Sequence, residues 1–137
     1  TYGELNHDRT NAILYPTSYG AKHTDIDWLI RPDGILDPTE WFIVIPNMFG
    51  NGLSTSPSNY QCEEIWFSHY DNVRAQKQLL EEVFQIEQLA LIYGWSMGAQ
   101  QAYHWGAVFP DRVLRIAALC GTARTTDHNR IFLKSLR

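Results

Sequence analysis

The sequence is poor in the features that mark several large functional classes. It has no run of lysine and arginine: 11 basic side chains are interspersed with 15 acidic ones, for a net charge of −4. Following a phosphate backbone or an anionic bilayer takes clustered positive charge, so neither nucleic acid nor membrane is an expected partner. No apolar stretch approaches the roughly 20 residues that span a bilayer, and no signal-peptide pattern opens the chain. Cysteine occurs only at Cys62 and Cys120, without metal or redox spacing. Free thiols in a reducing, cytoplasmic compartment are expected, with a single disulfide as the alternative. There is no H-E-x-x-H or equivalent, so no metal is expected. Gly50, Gly52, Gly94 and Gly98 form no dinucleotide or P-loop fingerprint, so no permanently bound cofactor is expected. No repeat or linker divides the 137 residues, which read as one domain.

What is present is an apolar, aromatic-rich chain: 45% apolar, with five Trp, seven Tyr and six Phe. A core and an aromatic-walled pocket are both within its means, and a small molecule is the expected partner. The organising stretch is Leu89 to Val108, LALIYGWSMGAQQAYHWGAV. Leu89 to Tyr93 is an apolar run suited to a buried parallel strand. Gly94-Trp95-Ser96-Met97-Gly98 then spells G-x-S-x-G, and a helix-compatible segment runs on to Val108. Strand, tight turn and helix around that pattern describe a nucleophile elbow. Such a turn exposes the serine hydroxyl at the carboxyl end of the sheet. Its glycines remove side chains that would collide with the neighbouring strand and helix. The Met97 N–H, at a helix N-terminus, is placed to face a developing oxyanion.

The rest of the chain alternates around this unit. Apolar strands are predicted at 11–16, 41–45 and 113–120 besides 89–93. A short helix capped by Thr24 is expected within 21–30, a helix capped by Asn72 over 71–84, and a terminal helix over 129–137. On the 71–84 helix, Val73, Gln76, Leu80, Val83 and Phe84 share a face. The stretch 47–70 has little periodicity and much Asn, Ser, Gly and Pro; a loop that long usually carries function. This alternation is that of an α/β fold with a mostly parallel sheet and flanking helices. Ligands bind such sheets at the carboxyl ends of the strands, which gathers 17–20, 47–56 and 94–98.

These segments together resemble the homoserine O-acetyltransferase family of the α/β-hydrolase superfamily. Thr1-Tyr2-Gly3-Glu4-Leu5-Asn6 is similar to its Y-G-x-L-N segment, and Pro16 to Gly20 lies where that family has a short oxyanion loop. Asn47-Met48-Phe49-Gly50-Asn51-Gly52 resembles its N-x-x-G-x-x-G turn with the glycine spacing one shorter. Gly94-Trp95-Ser96-Met97-Gly98-Ala99 resembles its G-G-S-M-G-G. The resemblance implies an α/β-hydrolase core in which the four strands lie in the order second, first, third, fourth along this chain. It implies Ser96 as nucleophile, taking an acetyl-type group from acetyl-CoA and passing it to an amino-acid hydroxyl such as that of homoserine. It implies an oxyanion hole from the Met97 N–H and a second N–H of the 17–20 loop, Ser18 first and Tyr19 next. Tyr19, Asn47, Trp95 and Arg137 are the implied pocket residues.

Three departures matter. Trp95 replaces a glycine and puts an indole beside the nucleophile. At the end of the chain only Arg137 agrees with the family's Asn-Glu-x-x-Arg. The family's Asp and His lie well downstream of the elbow, and only 41 residues follow Ser96 here (137 minus 96). The chain is therefore expected to be a domain truncated at both ends, without lid or general base, inactive by itself. Its exposed sheet edges are expected to be covered by a second copy or a complementary chain. Ester hydrolysis on the same elbow is the alternative activity, and a non-catalytic domain a third reading.

Other candidates have plainer accounts. His104 lies two helical turns past Ser96, about 12 Å away along the axis, and reads as a packed histidine. Asp127 and His128 follow the fourth strand, at the end where some superfamily members place the triad acid. A solvated loop is the better account of both. His23 follows the oxyanion loop and lines the pocket or the surface. Arg74 suits a solvated helix face as well as a substrate site.

Overall fold

The computed structural model describes residues 1–61 and 65–135. Among these residues four short strands form one parallel sheet: β1 (Ala12–Leu14), β2 (Phe42–Val44), β3 (Leu91–Trp95) and β4 (Ile116–Leu119), in the order β2-β1-β3-β4. That is the order the resemblance implied. Ile13 pairs with Ile43 and with Leu91, and Ile92 with Ile116. β1 and β2 are shorter than their apolar runs because Pro16 and Pro46 follow, and proline has no N–H for the ladder. The start of the fourth run is reduced to one bridge, Leu89 to Val113.

Among the described residues there are three α-helices: α1 (His69–Glu82), α2 (Met97–Val108) and α3 (Asp127–Ser135). The cap of α1 is Ser68, not Asn72: its Oγ accepts the Asp71 N–H while the Asp71 carboxylate accepts the Ser68 N–H. Asn72 is buried instead, accepting the Phe49 N–H and donating to the Ser68 carbonyl, which ties the long loop to the helix. Val73, Gln76 and Leu80 face inward as expected, but α1 stops before Val83, which is exposed. The segment His23–Leu29 is a 3-10 helix whose N-cap is Lys22 rather than Thr24. The Asp25 carboxylate accepts the Lys22 N–H at 2.8 Å, which closes the first turn ahead of Thr24.

The sheet separates two apolar clusters. One joins Leu14, Val44 and Ile92 to Val73, Leu80 and Trp105 of the helices; the other joins Ile13, Tyr15, Ile43 and Tyr93 to Ile26 and Leu36. The two sheet edges differ. Tyr2 pairs antiparallel with Ile43 through two backbone hydrogen bonds and covers β2. β4 ends the sheet among the described residues, with Leu114 and Ile116 exposed beside it. The expectation of two open edges thus narrows to one.

Candidate active site

β3 delivers the chain into the turn, and the turn is strained. Ser96 has φ 54° and ψ −116°. A non-glycine residue there costs about 1–3 kcal/mol and persists only where its surroundings over-determine it. They do: the Ser96 N–H donates to the Leu119 carbonyl at 2.9 Å, and the Ser96 carbonyl accepts from Gln100 at 3.2 Å. Three glycines let backbone approach backbone. A Cβ at Gly94 would lie 2.3 Å from the Gly98 carbonyl oxygen, and one at Gly98 2.4 Å from that of Pro16. A Cβ at Gly121 would lie 2.8 Å from the Ser96 carbonyl oxygen. The first two follow from the G-x-S-x-G pattern. Gly121, 25 residues on, carried no local signal.

The turn opens into a cleft of about 510 Å³. Ser18, Tyr19, Trp95, Ser96 and Met97 line it together, closed on one side by Phe132 and Leu133 of α3. Trp95 and Tyr19 are 45% and 68% exposed, so their rings are open to a ligand. Met97 opens α2, and its N–H has no intrahelical acceptor. Among the described residues the Thr17 and Ser18 N–H groups also have no partner. The Ser18 hydroxyl donates to the Trp95 carbonyl at 2.5 Å, joining the 17–20 loop to the elbow.

Other expected residues lie elsewhere. Asn47 is not among the residues lining the cleft; its Oδ1 accepts the His23 N–H and its Nδ2 meets the His23 Nδ1 at 2.9 Å. This also occupies His23. Arg137 and Cys62 lie outside the described residues; Cys120 is a free, exposed thiol. Asp127 is exposed and faces Arg130 at 3.8 Å. The His104 Nδ1 turns back to the Gln100 carbonyl of its own helix. Among the described residues no histidine or carboxylate is hydrogen-bonded to the Ser96 hydroxyl, and no group of three metal-ligating side chains occurs. Among them, too, no helix is long and apolar enough to cross a membrane.

A buried polar chain runs beneath the site; the periodicity placed Gln76 on the inward face of its helix but gave no signal of Gln101 or of the partners. Gln101, fully buried on α2, donates through Nε2 to the Thr17 carbonyl at 3.0 Å. Its Oε1 accepts from Gln76 Nε2 at 2.7 Å, and Gln76 Oε1 accepts from Trp105 Nε1 at 2.9 Å. Both glutamines fall at inward positions, where helical periodicity alone suggests apolar side chains.

Known proteins bear out this architecture. A probable esterase of Corynebacterium glutamicum is 46% identical over 99% of this chain and 41% of its own length. The ethyl acetate hydrolase of Pseudomonas veronii is 43% identical over 98% of this chain and 40% of its own. The crystal structure of an acetylester hydrolase from C. glutamicum superposes with a TM-score of 0.95 at 42% identity, covering 98% of this chain and 41% of that one. The homoserine O-acetyltransferase of Geobacter sulfurreducens stands further off, 35% identical over 90% of this chain and 39% of its own. The chain thus spans about two fifths of the length of these relatives. The specific resemblance to homoserine O-acetyltransferases gives way to a nearer one to esterases. Residues 31–136, which include the elbow and three of the four strands, match the family model of the alpha/beta hydrolase fold, and the chain belongs to that family.

Proposed function

We infer that the whole protein hydrolyses short-chain carboxylic esters, acetyl esters foremost, through an acyl-Ser96 intermediate. The observation that carries this is Ser96 itself, an exposed serine held in a strained backbone conformation at the mouth of a cleft, next to an unpaired helix N-terminal N–H. The esterase names of the relatives at 46% and 43% identity support hydrolysis over transfer. Trp95 supports it too: its indole lines the cleft beside Ser96, where the transferase family has a glycine.

In this reading the Ser96 Oγ attacks the ester carbonyl carbon while a general base takes its proton. Carbonyl π electrons move onto oxygen, and the Met97 N–H and the loop N–H of Ser18 receive that charge. Collapse expels the alkoxide, which takes the proton back and leaves as alcohol. Water, losing a proton to the same base, then attacks the acyl carbonyl carbon; the bond to Oγ breaks, Ser96 Oγ takes that proton, and the carboxylic acid leaves. No resident cofactor or metal is needed.

The test uses the full-length protein and p-nitrophenyl acetate. Intact mass should show a transient gain of one acetyl group, absent in Ser96→Ala, whose turnover should fall about 10⁴-fold or more. Turnover that survives Ser96→Ala refutes the nucleophile. Acetate release without any added acceptor supports hydrolysis; product only in the presence of homoserine overturns it in favour of acetyl transfer.

A further inference from the structure

We propose that Gln101, backed by Gln76 and Trp105, is a positioning residue that orients and polarises the loop half of the oxyanion hole. The inference rests on the esterase reading above and adds residues that never touch the substrate.

Every link in the chain donates in the same direction: Trp105 Nε1–H to Gln76 Oε1, Gln76 Nε2–H to Gln101 Oε1, Gln101 Nε2–H to the Thr17 carbonyl. Trp105, Gln76, Gln101 and Thr17 are each 4% exposed or less. The Thr17 carbonyl shares its planar peptide with the Ser18 N–H, and in a trans peptide the two point in opposite directions. Pinning the carbonyl inward on Gln101 therefore turns the Ser18 N–H outward, to the side where Ser18 lines the Ser96 cleft. Hydrogen bonds aligned head to tail in a low-dielectric interior also polarise one another. A carbonyl that accepts from such a chain draws charge from its peptide nitrogen, and the N–H becomes a better donor to an anion. The loop is clamped from its other side as well: the Thr17 hydroxyl accepts the Met48 N–H and donates to the Pro46 carbonyl. Ser18 is tied through its hydroxyl to the Trp95 carbonyl, and its own carbonyl accepts the Ala21 N–H; Gln101 is the side chain that holds the Thr17 carbonyl itself.

The effect should grade with position. Deleting an oxyanion donor costs about 10²–10³ in kcat, and a misdirected donor should cost part of that. In full-length protein with p-nitrophenyl acetate, Gln101→Met should lower kcat about 10–50-fold. Gln76→Leu should lower it less, and Trp105→Phe least, with KM within threefold throughout. Affinity for a trifluoromethyl ketone, which forms an anionic adduct on serine, should fall in step with kcat. A purely structural role gives another order: Trp105→Phe, which alters the largest buried side chain, would lower urea stability and activity most. If Gln101→Met does not fold, Gln76→Leu and Trp105→Phe carry the same comparison. The proposal is overturned if the folded variants keep kcat within threefold of wild type while Ser96→Ala is inactive. It is also overturned if activity follows stability rather than position. Activity surviving in Ser96→Ala would instead sink the esterase reading.

Discussion

Gly98→Ala tests the architecture of the site most directly. The Cβ it adds would sit 2.4 Å from the Pro16 carbonyl oxygen, where ordinary contact begins near 3.4 Å. Elbow helix and loop must separate by about 1 Å. Pro16 immediately precedes the loop that carries the Thr17 and Ser18 N–H groups, so the separation falls between the two proposed halves of the oxyanion hole. Two opposing terms set the stability change. Overpacking costs about 1–3 kcal/mol, whereas alanine is about 0.8–1.0 kcal/mol better than glycine within a helix. The net loss is about 0–2 kcal/mol, which a stable protein survives. Activity has no such offset: a misplacement of 1 Å costs about 100-fold. The assay is kcat/KM for p-nitrophenyl acetate beside urea unfolding, both in the full-length protein. A folded variant within threefold of wild type would refute the close-approach reasoning.

Two other perturbations follow. Trp95→Gly enlarges the cleft beside Ser96 and should shift preference toward bulkier esters by about tenfold in relative kcat/KM, read across a series of acyl and alcohol chain lengths; an unchanged profile would remove Trp95 from the pocket wall. His69 has its pKa held below the ordinary imidazole value, first by burial and also by the neighbouring His104, against the opposing effect of the hydrogen bond its Nε2–H donates to Gln100 Oε1. The unfolded chain therefore binds this proton first as pH falls, so the contribution of His69 is complete above about pH 6.5 and is lost between there and its lowered folded value. Urea midpoints at pH 7.5 and 5.5 should fall for wild type and fall less for His69→Gln; equal slopes would reject the assignment.

The elbow was legible because its physics is local. Gly94, Ser96 and Gly98 lie within five residues, and a strand-like run and a helical run flank them. The strand order was legible only through resemblance, since nothing in the periodicity of four apolar runs says which lies beside which. The cap of α1 was misread because Ser68 and Asn72 are both good capping residues. The choice fell to the Phe49 N–H, which donates to the Asn72 side-chain Oδ1, a contact between residues 23 apart. Asn47 was misplaced for a similar reason: the His23 N–H took the amide expected in the pocket.

By itself, the sequence determined the alternation of elements, the strained serine turn and the absence of any metal or phosphate motif, since each depends on residues within a few positions of one another. Tertiary structure alone decided what surrounds the turn. Gly121 sits against the Ser96 carbonyl because β4 lies beside β3. Gln101 reaches Thr17, 84 positions away, because α2 packs over the loop that follows β1. A buried amide needs a buried partner, and which partner it finds is settled when the sheet and helices come together.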